Sequence, residues 1–329
     1  MDKVLNLNRF RRISLFFLSM LVALALAVFP AKSESDKIKI IATTGMIADA
    51  ASRIGGDLVE VTALMGPGVD PHAYRQTRSD IVAMTRADLV LWHGLYLEAQ
   101  MEEFFKKLAK SRNVVAVAES LPNELLIGHE DYNDKKDPHI WMDPKLWAQA
   151  MPAISKALSS IQPESRAVFA ANAAQYQNEL EQLSAYGKKA IATIDPDSRY
   201  LITAHDAFNY FGLAHDFEVI GIQGISTESE AGINRMSELV DLLVDRRIGA
   251  VFVESSVSDR NIRALIEGAA AKGHEVVIGG ELFSDAMGVP GTYEGTYLGM
   301  LDHNFTTITN ALGGDVPDGG MAGTLSPES

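Results

Sequence analysis

The stretch IKIIATTGMIADAASRIGGDLVEVTAL, residues 38–64, decides the fold class. Ile38 to Ala42 is short and largely apolar and reads as a strand. Met46 to Ile54 reads as a helix that Gly55-Gly56 ends. Val59 to Leu64 is a second strand, closed by the turn Gly66-Pro67-Gly68. Apolar strands alternating with amphipathic helices are the signature of βαβ units and a parallel sheet.

The same alternation extends outward from this unit. Ser79 to Arg86 reads as helix, Asp88 to Trp92 as strand, Glu98 to Lys110 as helix and Asn113 to Val117 as strand. Asp143-Pro144 pairs a cap with proline at the first helical position and starts a helix running to about Ile161. Residues 163–194 contain one glycine, Gly187, and Ala167 to Leu183 is rich in good helix formers. A helix of that span is on the order of 45 Å long, enough to join two halves. The pattern then restarts with strands at Tyr200–Thr203, Glu218–Ile222, Ala250–Glu254 and Glu275–Ile278, and helices at Phe208–Leu213, Ile233–Asp245, Asp259–Ala271 and Tyr297–Leu312. The expected architecture is α/β, with two similar parallel-sheet lobes (residues 34–162 and 195–312) joined by a linking helix at 163–194. Residues 313–329, rich in Gly, Pro and Ser, read as a disordered tail.

Composition narrows the function. The chain has 329 residues, with 29 Lys+Arg against 43 Asp+Glu and a formal charge of −14. Such an acidic chain without a long basic run is a poor partner for nucleic acid or an anionic membrane. The cysteine count of 0 removes disulfides, thiolate metal sites and thiol nucleophiles. Lys3, Arg9, Arg11 and Arg12 precede the uncharged run Ile13–Phe29, and Ala31-Lys32-Ser33 follows. Residues 1–33 read as a cleaved secretory signal, with an uncleaved membrane anchor as the alternative. The expected location is a periplasm, as a monomer and, without cysteine, not as a lipoprotein.

Ligands of open α/β sheets sit beyond the carboxyl ends of the strands. The first half offers His72 and His139 there, each preceded by Asp-Pro, and the second half offers His205 and Asp285. Three imidazoles and one carboxylate suit one borderline divalent ion. Asp70 and Asp137 either orient ligands or simply form turns. Asp143 and Asp206 read as helix caps. Glu254 ends a strand at the right sheet edge, and His129 lies in a polar loop where it is a candidate for transient capture. His93, His215, His274 and His303 read as structural.

These residues sit in longer motifs. Gly66-Pro67-Gly68-Val69-Asp70-Pro71-His72-Ala73-Tyr74, Asp137-Pro138-His139-Ile140-Trp141-Met142-Asp143, Thr203-Ala204-His205-Asp206-Ala207-Phe208 and Gly280-Glu281-Leu282-Phe283-Ser284-Asp285 are similar to those of the zinc/manganese-binding receptors of bacterial ABC importers. The TroA-like branch is the type they resemble. The resemblance implies two lobes bridged by a rigid helix, a buried metal between them with His72, His139, His205 and Asp285 as ligands, and delivery of the ion to a membrane permease. Zinc-specialised members of the family carry a long His-rich loop before the second ligand, whereas this chain has only Gly128 to Lys136. Zinc is the expected cargo, with manganese as the alternative. A receptor for an organic solute or metal chelate is the second reading, and a zinc hydrolase the third. Four protein ligands would close the shell against a catalytic water, and no HExxH-like pair is present, so no catalytic residue is assigned. Because three imidazoles must be neutral to bind, affinity is expected to fall mainly between about pH 7 and 5.

Overall fold

Successive strand residues point into different apolar cores, and this alternation sets the architecture. The computed structural model describes residues 37–129, 134–229 and 231–325. In the N-terminal half β1 (Ile38–Ala42), β2 (Val59–Ala63), β3 (Leu89–Trp92) and β4 (Val114–Ala116) form a parallel sheet in the order β2-β1-β3-β4. Ile40, Ala42, Leu89 and Leu91 enter one core, which α1 (Gly45–Gly55) covers with Met46, Ile47, Ala50 and Ile54. Ile41, Val90 and Trp92 enter another, closed by Met84 of α2 (Arg78–Arg86) and by Phe105 and Leu108 of α3 (Glu102–Leu108).

Two helices then carry the chain to the second half. In α4 (Pro144–Ile161), Asp143 accepts the Lys145 amide and Pro144 occupies the first turn. After a single 3-10 turn at Pro163–Ser165 comes α5 (Arg166–Ile191), 26 residues and so about 39 Å long. Phe169, Ala173, Tyr176, Leu180, Leu183, Gly187 and Ala190 form its buried stripe, spaced alternately four and three residues apart.

In the C-terminal half β5 (Tyr200–Thr203) pairs with β6 (Glu218–Gly221), and β7 (Ala250–Glu254) pairs with β8 (Val277–Leu282), all in parallel. The two pairs meet where β5 packs beside β7. Leu201 and Phe252 join the same core as β1 and β3, together with Phe211 of α6 (Asn209–His215). Ile202 and Val251 face a separate core under α7 (Ile233–Arg246) and α8 (Arg260–Ala271). The last helix, α9 (Tyr297–Ala311), packs on α5, α1 and β8. Each half therefore has a private outer core, and one inner core runs through both along α5.

Three expectations change. Glu98 does not start a helix: its buried carboxylate accepts the Thr43 hydroxyl at 2.6 Å and the His93 amide at 2.8 Å, so α3 begins at residue 102 after a 3-10 turn. The last strand runs on through Gly279-Gly280 to Leu282, paired with β7 through a register shift at Val251/Phe252, and the two positions are glycine because Phe252 and Thr307 occupy the space where Cβ atoms would stand. Residues 313–325 are not a loose tail: Val316 and Leu325 are buried, and the Asp302 carboxylate accepts the Met321 and Ala322 amides. Residues 326–329 lie outside the described residues, as do the signal segment 1–33 and part of the Gly128–Lys136 loop. No described helix is long and apolar enough to cross a membrane.

Gly187 tests the inner core directly. Helix propensity alone favours alanine at such a site by about 1 kcal/mol. A Cβ on Gly187, however, would stand 2.3 Å from the Phe305 ring of α9. Overpacking of this kind costs about 1–3 kcal/mol, so Gly187→Ala is expected to lower stability rather than raise it. Urea unfolding of both proteins measures the sign, and a stabilised variant would show that the α5–α9 contact yields freely.

Candidate metal centre

The turns that follow the strands aim four side chains at one point. The Asp70 carboxylate accepts the His72 amide at 2.8 Å, and Asp137 accepts the His139 amide at 2.9 Å. In both places Asp-Pro-His folds into a tight turn in which the aspartate satisfies the histidine's own N–H. His205 follows β5 and Asp285 stands three residues past the end of β8. Glu254, the last residue of β7, accepts the His205 amide at 2.9 Å.

One nitrogen or carboxylate oxygen from each of His72, His139, His205 and Asp285 lies within 4.8 Å of the others, and all four residues are buried. His72 Nε2 is 3.3 Å from His139 Nε2 and 3.7 Å from Asp285 Oδ2. Asp285 Oδ1 lies 3.4 Å from His139 Nε2, and Oδ2 lies 3.2 Å from His205 Nε2. Ligand bonds of about 2.0–2.1 Å in a tetrahedron give edges of roughly 3.3 Å, close to these four separations. His205 Nε2 and both Asp285 oxygens are buried without a hydrogen-bond partner among the described residues. Such groups are costly in an apolar interior, and a small cation at their centre suits them. The two Asp285 oxygens face different histidines, so the carboxylate can bind through one oxygen or both.

The outer faces of two imidazoles are held by carboxylates. His139 Nδ1 is 2.7 Å from Asp137 Oδ1, and His205 Nδ1 is 2.6 Å from Glu254 Oε2. Each ring donates from Nδ1 and turns Nε2 to the centre, the usual arrangement of metal-ligating histidines. Asp137 is fixed in turn by Asn209 Nδ2, at 3.1 Å, and its backbone carbonyl accepts the Tyr210 hydroxyl at 2.9 Å. Trp141 packs edge-on against His139 and donates its indole N–H to the Ser284 carbonyl in the other half.

These partners set the protonation of the centre. Burial alone would lower His139, but Asp137 and Asp285 outweigh it and push the imidazole up to about 9. Burial is likewise overcome at His205, where Glu254 and Asp285 raise the imidazole well above its usual value. At His72 burial prevails and takes the imidazole down to about 3. Burial would raise Asp285, yet the surrounding imidazoles, His205 foremost, hold it well below the usual carboxylate range.

The structure thus brings together all four residues singled out in the sequence. Glu254 stands behind His205, and Asp137 both shapes its turn and braces His139. Asp70 holds the His72 backbone rather than its ring. Asp143 caps α4 as expected. Asp206 does not cap a helix, since α6 begins only at Asn209; its carboxylate accepts Asn209 Nδ2 at 2.8 Å. His129 is buried outside the four-residue cluster, near enough for its charge to bear on His72. His93, His274 and His303 each engage a backbone carbonyl, of Pro138, Ile248 and Glu281 respectively. His215 packs on Phe211 and Phe305. Asn209, Tyr210 and Thr227 were not singled out. Asn209 and Tyr210 follow the His205 motif closely, and Thr227 closes Gln223-Gly224-Ile225-Ser226-Thr227, a further stretch that resembles the receptor family.

The family model described as the periplasmic zinc-uptake complex component A matches residues 40–311. The manganese-binding lipoprotein MntA of Bacillus subtilis is 48% identical over 281 residues, covering 85% of this chain and 92% of that protein. The zinc-binding protein TroA of Treponema pallidum is 45% identical over 273 residues, covering 83% of this chain and 88% of that protein. Its solved structure superposes with a TM-score of 0.81, covering 84% of this chain and 99% of that one. The substrate-binding lipoprotein SloC of Streptococcus mutans is 30% identical over 309 residues, covering 92% of this chain and 99% of that protein. These relatives correct one expectation. Because MntA and SloC are named lipoproteins, the exclusion of a lipid anchor is not upheld, and what stands is a location outside the cytoplasm. The chain belongs to the zinc-uptake component A family of metal-binding receptors, non-enzymatic proteins that serve ABC importers.

Proposed function

We propose that His72, His139, His205 and Asp285 together hold one divalent transition-metal ion, which this receptor hands to the permease of its importer. The observation that supports this most is the convergence of four buried ligand atoms within 4.8 Å, two from each half. Three imidazole nitrogens favour zinc, and the carboxylate, able to use both oxygens, also admits manganese. TroA is named for zinc and MntA for manganese, and the similarity to both accords with a site that accepts either ion. In this reading the chain acts as a monomer, with an N-terminal lobe ending at residue 162, a C-terminal lobe beginning at 195 and residues 163–194 linking them.

Metal analysis of purified protein is expected to give one ion per chain. His72→Ala and His205→Ala should each weaken zinc binding by more than the roughly 10–100-fold that loss of an outer partner costs. Two ions per chain, or unchanged affinity in both variants, would refute the site. Saturating metal should also raise the melting temperature, since free ion at about 1,000 times Kd adds roughly 4 kcal/mol.

The pH dependence should differ from that of three ordinary histidines. His72, lowered to about 3, is already neutral at working pH and gives up no proton. His139, raised to about 9, and His205, raised well above its usual value, must each lose a proton as the ion binds. Affinity should therefore fall as pH drops from about 9, with a slope approaching two protons rather than three. Calorimetry at pH 7 in buffers of different ionisation enthalpy counts the protons released. A count near zero, or a loss confined below pH 6, would be inconsistent with the paired imidazoles.

A further inference from the structure

The three histidines are not held alike. His139 and His205 each have a carboxylate against Nδ1, at 2.7 and 2.6 Å. No described residue hydrogen-bonds Nδ1 of His72. This ligand is fixed through its backbone, by Asp70 Oδ1 on its amide. The other Asp70 oxygen, Oδ2, accepts the hydroxyl of Thr227 at 2.6 Å, from a residue 157 positions further on and in the opposite half. Thr227 is itself braced, because Gln223 Nε2 reaches the carbonyls of Thr227 at 3.4 Å and Ser229 at 3.1 Å. Beside this contact the 66–72 turn comes close to the C-terminal half. At Gly68, with φ +69°, a Cβ would lie 3.3 Å from the Ser255 carbonyl oxygen.

We propose that Thr227 is a positioning residue that sets how long the ion stays bound, by tying Asp70, and through it His72, to the far side of the cleft. The proposal rests on the metal-receptor reading above. An ion leaves only when some ligand lets go. Among the described residues His72 is the ligand without a ring brace, so the Asp70 turn is the part of the shell most free to withdraw. A hydroxyl-to-carboxylate hydrogen bond at 2.6 Å is short and charge-assisted, and it resists that withdrawal directly. Because Thr227 touches no ligand atom, its loss should act on release and leave capture alone.

The test is stopped-flow transfer of zinc from the loaded full chain to an excess of chromogenic chelator. Thr227→Val removes the hydroxyl at nearly constant shape and should speed release about ten-fold, the worth of one such hydrogen bond. Thr227→Ser keeps the hydroxyl and should release zinc near the wild-type rate. The association rate should be unchanged in both, and Thr227→Val should lower the metal-free melting temperature by no more than the loss of one hydrogen bond. Wild-type release in Thr227→Val, faster release in Thr227→Ser as well, or a matching fall in the association rate would each overturn the proposal. If the wild-type chain takes up no zinc at all, the metal-receptor reading itself fails, which is a separate outcome.

Discussion

Everything at the centre depends on two halves of the chain being held in one fixed relation. Four ligand atoms cannot meet within 4.8 Å unless loops more than 200 residues apart in sequence, such as those of His72 and Asp285, keep their distance to a fraction of an ångström. The shared inner core supplies that constraint. Residues of β1, β3, β5 and β7 enter one apolar cluster, and α5 runs its length, packed against α1 from one half and α9 from the other. Close-packed interiors deform little, so the relation set by Phe169, Tyr176, Leu183 and Phe305 reaches the sheet edges where the ligands stand. Polar bonds across the cleft then act on a frame already in place. The Trp141 indole on Ser284 and the Tyr297 hydroxyl on the Trp141 carbonyl both lie close to His139.

Much of this was legible in the sequence, because local rules govern it. The strand–helix alternation, the Asp143-Pro144 helix start and the glycine-poor linking segment are each set by residues a few positions apart. The Asp-Pro-His turns belong to the same class, and so does the placement of His205 and Asp285 past strand ends. The parts that escaped depend on distant partners. Glu98 lies in a stretch of good helical character, but the Thr43 hydroxyl, 55 residues earlier, draws its carboxylate inward. Residues 313–325 have the composition of a loose tail, yet the buried Asp302 gives their amides an acceptor. Asp206 looks like a cap from its neighbours, and only the folded chain shows the Asn209 amide donating to both Asp206 and Asp137.

Asp137 and Glu254 do the same work from unrelated positions. One reaches His139 from two residues before it in a turn, the other reaches His205 from the end of a neighbouring strand. Each accepts both the amide and the ring N–H of its histidine, fixing backbone and side chain together. Such a brace makes the opposite nitrogen a better donor to a cation and also makes the ring hold a proton more firmly when no cation is there.

That double effect has an electrical consequence. Where two imidazolium protons leave as one divalent ion arrives, the charge inside the cleft before and after is the same. Loaded and empty receptor would then present nearly the same field to whatever they approach.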